Sequence, residues 1–184
     1  MMRSEIDVLL RAKLFAHSDL LGAGSSAPAV GGLYGWWFHH RALRAISDDA
    51  PALDVWRLGY VGIAPRRPSM TGKSRSTLKS RLRQHCRGPI ASSTLRRSLA
   101  ALLRDKLSLH VKRNAAGRLV LVGDGEAALS AWMAMHARVN WVEHDAPWDL
   151  EDAMLRGGIP LALNIHGRGD LASQLLRLRR DLRG

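Results

Sequence analysis

A chain of 184 residues is long enough for one domain with a sizeable core. Its 46% hydrophobic and 24% charged residues are ordinary for a globular protein, and no apolar run approaches the roughly 20 residues of a membrane span. Charged residues interrupt the N-terminal apolar residues, which excludes a secretory signal and predicts a cytoplasmic protein without a membrane partner. The single cysteine, Cys86, excludes an intrachain disulfide and a cysteine-rich zinc module, and we interpret it as a passive thiol.

The net charge of +12 is concentrated in one part of the chain. Residues 66–113 contain fourteen Lys and Arg against one acid, whereas the remaining residues contain fourteen basic and fifteen acidic side chains. Such a block is typical of a protein that binds a polyanion, so we predict a nucleic-acid partner. A solvated face that aids solubility would usually intersperse acids. A basic membrane-surface helix would usually carry aromatic anchors, which the block lacks.

The first half of the chain predicts one helix and two strands. An amphipathic helix is expected from Ser4 to about Leu21, with Ser4 as its cap. A stretch rich in Gly, Ser and Ala follows and is typical of a linker. The linker (22–32) is followed by a strand (33–40), a connection (41–55) and a second strand (57–64) that ends at a proline.

The second half is mostly helical by its apolar periodicity, with short alternating runs between the helices. Two strands followed by helices and scattered strands predict an α+β domain with a small, mainly antiparallel sheet, and not a doubly wound parallel sheet. The predicted elements are helices at 76–86, 93–103, 126–136, 148–155 and 169–183, a hairpin from 107–111 and 118–122, and a strand at 139–143.

The chain has only two tyrosines, and both lie in glycine-flanked tripeptides. Tyr34 ends the tripeptide Gly-Leu-Tyr, and Tyr60 begins the tripeptide Tyr-Val-Gly. Each tripeptide lies in a predicted strand. Two phenols on neighbouring strands can converge on one point, a geometry that suits proton handling at a phosphate.

Further polar candidates follow in chain order. Arg81 and His85 are four residues apart on a predicted helix, so they share one face. A guanidinium can bind a phosphate and neutralise charge that develops on it, and a histidine one turn away can move a proton. Glu151 comes much later, followed by a Pro-Leu-Ala-Leu-Asn stretch that ends at Asn164.

This ordered series of five elements resembles the GIY-YIG endonuclease family over about residues 31–166. The resemblance implies a three-stranded central sheet flanked by helices, and an endonuclease that cuts phosphodiesters with one divalent metal, Mg²⁺ or Mn²⁺. The N-terminal helix and linker (1–30) and the basic C-terminal helix (167–184) have no counterpart in the family, and we expect them to be additions to the nuclease-like domain (31–166). Leu33 and Val61 stand where the family has isoleucines, and the connection between the tyrosines is longer than the family's hairpin.

The resemblance also implies roles for the site residues. Glu151 would hold the metal, since hard cations prefer oxygen ligands, and Arg81 would contact the scissile phosphate. Tyr34 would accept the proton of the attacking water, with Tyr60 positioning that water or the phosphate. Ionising a phenol of pKa ~10 at pH 7 costs about 4 kcal/mol. Tyr34 therefore needs help from Arg81 and the metal, or His85 must share the task.

The remaining candidates have supporting roles or plain alternatives. Asn164 is expected to orient the site rather than react. Two adjacent histidines at 39 and 40 have no third ligand at metal spacing, so a zinc site is not predicted. We predict that Trp36, Trp37, Trp132, Trp141 and Trp148 are core residues rather than base-stacking platforms. The predicted nucleic-acid contacts are Arg66, Arg67, Lys73, Arg75, Lys79, Arg83 and Arg87.

Three functional classes remain open from the sequence. The leading prediction is a metal-dependent endonuclease that acts on nucleic acid, with DNA favoured over RNA. A module that keeps the fold and binds nucleic acid without cutting it shares the same basic block. A protein-interaction domain whose basic face meets an acidic partner is the third class, and the sequence does not indicate an oligomeric state.

Overall fold

The two tyrosine strands pair with each other at the centre of a four-stranded antiparallel sheet. A computed structural model describes residues 2–46, 48–68, 72, 74–164 and 170–181. The strand order in the sheet is β2–β3–β1–β6. These strands are β1 (Gly32–His39), β2 (Ala52–Leu53), β3 (Trp56–Ala64) and β6 (Ala137–Glu143).

Six α-helices, two short 3₁₀ helices (His17–Leu20 and Ile90–Ser92) and a small hairpin complete the described part of the chain. The α+β class is confirmed, and no helix in the described ranges is long and apolar enough to cross a membrane. The helices are α1 (Met2–Arg11), α2 (Leu78–Arg87), α3 (Thr94–Leu102), α4 (Gly125–His136), α5 (Pro147–Arg156) and α6 (Asp170–Asp181), and the hairpin pairs β4 (Val111–Arg113) with β5 (Leu119–Leu121).

The sheet has four strands where three were predicted. The addition is β2, which contains two residues and pairs with the start of β3. It lies inside the segment predicted as a connection, and two residues are too few to produce an alternating pattern. Asp54, with φ of 53°, lies between the two strands and allows the chain to reverse there.

The predicted helix from Ser4 to Leu21 is wrong beyond Arg11. The side-chain amide of Asn140, on β6, donates hydrogen bonds to the carbonyls of Leu9 and Ala12, which satisfies the last turn of α1. Phe15 then pairs with Val139 through two backbone hydrogen bonds of 2.8 and 3.0 Å. A distant side chain therefore ends α1 where the local pattern continues to favour a helix.

The linker between α1 and β1 is docked on α2. The carbonyls of Val30 and Pro28 accept hydrogen bonds of 2.8 and 2.9 Å from the amides of Leu78 and Lys79. Thr77 caps the same helix, since its hydroxyl accepts from the amide of Ser80. These contacts satisfy the first turn of α2 and fix the helix beside β1.

The sheet has a core on each face. Tyr34, Trp36 and Phe38 of β1 point to one face, where they pack with α2, α3 and α4. Leu33 and Trp37 point to the other face, where they pack with α1 and α5. The alternation follows from the two-residue period of a strand. It places Tyr34 on the side of α2, the helix that carries Arg81 and His85.

Candidate active site

Tyr34 and Tyr60 lie on the same face of the sheet, with ring centroids 6.5 Å apart. Tyr34 is opposite Gly62 in the β1–β3 register. A Cβ atom at Gly62 would lie 2.5 Å from the hydroxyl oxygen of Tyr34 and 2.7 Å from its Cζ. The glycine of the second tripeptide is therefore needed because the Tyr34 ring lies across it.

Helix α2 brings His85 to the first phenol. The Tyr34 hydroxyl oxygen and His85 Nε2 are 2.7 Å apart, and His85 Nδ1 is 2.7 Å from the hydroxyl oxygen of Ser93. Both side chains of the first pair are buried. The structure thus places His85 behind Tyr34, in contact with the phenol and away from solvent.

Arg81 is one turn before His85, and its guanidinium is held by Gln84 of the same helix and by Ser92 in the segment that follows. Its Nη1 donates a 2.7 Å hydrogen bond to Oε1 of Gln84 and a longer one, 3.4 Å, to the carbonyl of Ser92. The Arg81 side chain is partly buried. These contacts orient the guanidinium at the cavity, where it also interacts with the Tyr34 oxygen.

A cavity of about 580 Å³ joins the predicted site residues. Helix α5 supplies Glu151 to this cavity, and β1 and β3 supply the tyrosines. Five of the six predicted site residues line it, and His85 reaches it only through Tyr34. The lining residues are Tyr34, Tyr60, Gly62, Ile63, Arg66, Arg67, Arg81, Thr94, Trp148, Glu151, Asp152, Leu155 and Asn164.

Asn164 is bound to the backbone of β3. Its Oδ1 accepts a 2.9 Å hydrogen bond from the amide of Val61, and its Nδ2 donates one of 2.9 Å to the carbonyl of the same residue. Leu163 continues this contact, since its amide donates to the carbonyl of Gly59. The segment lies along the open edge of β3, so Asn164 holds the strand that carries Tyr60.

The two phenols differ electrostatically. Burial raises the pKa of Tyr34, while the Arg81 guanidinium and the Tyr60 hydroxyl lower it. Burial raises the pKa of Tyr60 well above its ordinary value, and the neighbouring Tyr34 adds to that increase. Tyr34 is therefore the phenol that loses its proton more readily.

The imidazole of His85 and the thiol of Cys86 are both neutral at pH 7. Burial lowers the pKa of His85 well below its ordinary value, and the positive charges of Arg81 and Arg96 lower it further. Burial raises the pKa of Cys86 to about 12, consistent with the passive thiol inferred from the sequence. Protonating His85 in this environment would place a third positive charge next to two guanidinium groups.

The carboxyl group of Glu151 fits a cation site. Burial raises its pKa to about 7, and the charge of Asp152 contributes, while Arg67 and Arg81 act in the opposite direction. A cation beside the carboxylate would offset the water lost on burial. Among the described residues no group of three His, Cys, Asp or Glu side chains could hold a metal. One carboxylate suits Mg²⁺, which usually keeps several water ligands.

The predicted nucleic-acid contacts fall into different environments. Arg66, Arg75, Arg83 and Arg87 are exposed, and Lys79 is partly buried. Arg67 is exposed and pairs with Asp152 at 2.7 Å and with Asp149 at 3.7 Å. Lys73 lies outside the described residues.

The tryptophan prediction holds for four of the five residues. Trp36, Trp37 and Trp132 are buried in the two cores, and Trp141 packs on a core and stacks on Phe15 at 4.4 Å between ring centroids. Trp148 departs from the prediction, because it is partly buried on the wall of the cavity. Together with Leu155 and Ile63 it makes part of that wall apolar.

Sequence reasoning missed three groups that shape the site. Ser93 contacts His85, and Gln84 holds Arg81. Arg96, counted in the basic block, is fully buried and pairs with Glu126 at 2.8 Å. The cap position of Ser93 at the start of a predicted helix was visible in the sequence, but a contact eight residues away between two different helices was not.

Comparison with known proteins agrees with this geometry. A family model described as GIY-YIG catalytic domain matches residues 32–181. Since the match covers most of the chain, the protein belongs to the GIY-YIG family. This is a nuclease domain, so its substrate class is nucleic acid, and nucleases of the family generally depend on a divalent metal. Neither the curated proteins nor the solved structures that were searched gave a match.

Proposed function

We propose that the protein is a metal-dependent endonuclease that hydrolyses phosphodiester bonds in DNA by an activated water. The observation that supports this most is the convergence of Tyr34, Tyr60, Arg81 and Glu151 on one cavity. This cavity lies beside α2, which exposes Arg83 and Arg87. The site therefore combines a proton acceptor, a phosphate-binding cation and a metal-binding carboxylate in one place.

Each residue has a role that follows from its surroundings. Glu151 holds Mg²⁺ or Mn²⁺, which when bound supplies Lewis-acid stabilisation of the phosphate charge. Arg81, oriented by Gln84, binds a non-bridging phosphate oxygen and neutralises charge that develops in the transition state. Asn164 holds β3 and thereby positions Tyr60.

Tyr34 is the proton acceptor in this mechanism. As a phenolate it takes one proton from the attacking water, whose oxygen forms a bond to phosphorus while the bond to the leaving oxygen breaks. Burial raises the pKa of Tyr34 above its ordinary value, and Arg81 and the Tyr60 hydroxyl offset part of that increase in favour of the phenolate. The raised pKa of Tyr60 keeps the second phenol neutral, so it donates a hydrogen bond rather than accepting the proton.

Purified protein tests the proposal directly. It is incubated with supercoiled plasmid, linear duplex, single-stranded DNA and RNA, each with Mg²⁺, with Mn²⁺ or with a chelator. We expect metal-dependent cleavage of at least one DNA form, and loss of cleavage in Glu151→Gln. A matched control is Asp145→Asn, since Asp145 is an exposed acid outside the cavity and its variant should cut normally.

The alternatives are outcomes of the same experiment. DNA that is bound but stays intact with either metal would select the non-cleaving binding module. Cleavage of RNA alone would replace the DNA proposal. Cleavage by Glu151→Gln at the parent rate would remove Glu151 from the mechanism.

A further inference from the structure

We propose that Ser93 is a positioning residue that keeps the proton of neutral His85 on Nε2, so that His85 donates a hydrogen bond to the Tyr34 oxygen. The inference rests on the proposed function in one respect, that Tyr34 handles a proton during the reaction. The hydrogen-bond direction itself follows from the structure of the protein without substrate. Ser93 is outside the cavity lining and acts only through His85.

The Ser93 hydroxyl is held between two helices. Ser93 is the cap of α3, and its oxygen accepts a 3.1 Å hydrogen bond from the amide of Arg96. The same oxygen is 2.7 Å from Nδ1 of His85, near the end of α2. Both Ser93 and His85 are completely buried. The hydroxyl is therefore closed to bulk solvent, and its hydrogen-bond partners are protein groups.

Only one direction of the Ser93–His85 hydrogen bond gives the Ser93 proton an acceptor among the described residues. If Nδ1 donated, the serine oxygen would accept two hydrogen bonds, and its own proton would have no acceptor among the described residues. A buried donor without a partner costs about 1–3 kcal/mol. If Ser93 donates, its proton is bound to Nδ1 and its oxygen still caps α3. A neutral imidazole that accepts at Nδ1 carries its proton on Nε2.

The charge around His85 removes the remaining alternative, a doubly protonated ring. The charged and titratable groups that act on the ring are the guanidinium groups of Arg81 and Arg96 and the two phenols. No carboxylate contributes to its titration. His85 is therefore a neutral donor to Tyr34 and not the final acceptor of the proton.

This direction defines what His85 does for Tyr34. The Nε2 proton points at the phenol oxygen over 2.7 Å, which stabilises a phenolate more than a neutral phenol. The proton of neutral Tyr34 is then directed away from His85, toward the cavity that Tyr34 lines. The sequence left open whether Arg81 and the metal assist Tyr34 or whether His85 shares the proton transfer. The direction of the hydrogen bond excludes proton transfer to His85.

Nitrogen-15 spectroscopy of the substrate-free protein reads the tautomer directly. Protein labelled at histidine nitrogens is measured at pH 7.5, with His85→Gln used to assign the signals. We expect a pyridine-type shift for Nδ1 and a pyrrole-type shift for Nε2. The reverse pattern, or two protonated nitrogens, overturns the proposal whether or not the protein cleaves DNA.

Two variants of Ser93 connect the tautomer to the rate. Ser93→Gly removes the hydroxyl, while glycine remains an acceptable cap residue. We expect Nε2 protonation to be partly lost and kcat to fall at least roughly tenfold with little change in KM, since a wrong imidazole tautomer costs up to about 10⁴-fold in the serine protease triad. Ser93→Thr keeps the hydroxyl and should retain both the tautomer and the rate.

The outcomes separate this proposal from the nuclease proposal. A protein that shows the Nε2 tautomer and cuts nothing contradicts the nuclease alone. A folded Ser93→Gly variant with the parent tautomer and parent kcat contradicts the role of Ser93. If that variant does not fold, the parent spectrum still decides the direction of the hydrogen bond.

Discussion

At the scale of single residues, the two tyrosines have unequal surroundings. The Tyr34 oxygen contacts His85 and lies near Arg81, which favours its charged form against burial. Tyr60 has the same burial, and the neighbouring phenol raises its pKa further. The similarity of the two tripeptides in the sequence therefore does not extend to equal chemistry in the site.

Removal of each hydroxyl should have a different effect. Tyr34→Phe is expected to lower kcat by roughly 10²–10⁴-fold, the usual contribution of a general base. Tyr60→Phe should cost roughly tenfold, the value of one hydrogen bond of about 1.5 kcal/mol. Single-turnover cleavage and a binding assay in Ca²⁺ measure rate and affinity separately. Equal losses in the two variants would contradict the assignment of Tyr34 as the base.

Glu151 makes stability depend on pH in a defined direction. Its pKa is raised from 4.5 to about 7, so between these values the folded protein binds a proton that the unfolded chain does not. The contribution of Glu151 to the free energy of unfolding therefore falls as the pH rises from about 4.5 to about 7. Glu151→Gln should be about 3 kcal/mol more stable, relative to the parent, at pH 8 than at pH 4.5.

Urea denaturation at several pH values, with and without Mg²⁺, measures this effect. Mg²⁺ should stabilise the parent at pH 8 and have little effect on Glu151→Gln, because the carboxylate is the ligand. Asp145→Asn, which changes an exposed acid outside the cavity, is measured in parallel as the control. A pH-independent difference for Glu151→Gln would show that its carboxyl group is not perturbed.

At the scale of elements, the pairing of β1 with β3 fixes the position of Tyr34. The cross-strand neighbour of Tyr34 is Gly62, and the bulge after Trp36 allows Tyr60 to face the same side while Leu58 faces the other core. Glycine at position 62 is therefore required by the space that the Tyr34 ring occupies, and not by a backbone dihedral angle.

Gly62→Ala tests that requirement. The new methyl group would lie 2.5 Å from the Tyr34 hydroxyl, so the ring must move. A displacement of about 1 Å at a reacting group can cost about 10²-fold in rate, and overpacking costs about 1–3 kcal/mol of stability. Gly24→Ala is the matched control, since a Cβ at Gly24 has no atom within 4 Å. A Gly62→Ala variant with parent kcat would remove the steric argument.

Local sequence patterns predict most of the helices and strands, but not the contacts between residues far apart in the chain. Both tyrosine strands and helices α2 to α5 were predicted within about two residues, because their periodicity and their caps are local. The end of α1 was wrong because Asn140, more than a hundred residues away, takes its last carbonyls. The contact of Ser93 with His85 was missed for a related reason, since it joins residues of two separate helices.

At the scale of the whole molecule, the basic block is divided between the interior and the surface. Arg96 is buried with Glu126, and Arg97 donates to the carbonyls of Ile90 and Ala91. The basic residues of α2, by contrast, form a stripe of Lys79, Arg83 and Arg87, each four residues from the next. The charge available to a polyanion is therefore smaller than the sequence total.

Removal of positive charge from this stripe should weaken nucleic-acid binding and make the affinity less dependent on salt. In Arg83→Gln/Arg87→Gln, two exposed cations are lost, so the slope of log Kd against log salt should fall by about 2. The rate at saturating DNA should stay near that of the parent, since neither residue lines the cavity. Arg11→Gln/Arg44→Gln removes the same charge from exposed positions on α1 and in the connection after β1. If both double variants lower the slope equally, the polyanion is attracted by net charge alone and the stripe on α2 is not its binding surface.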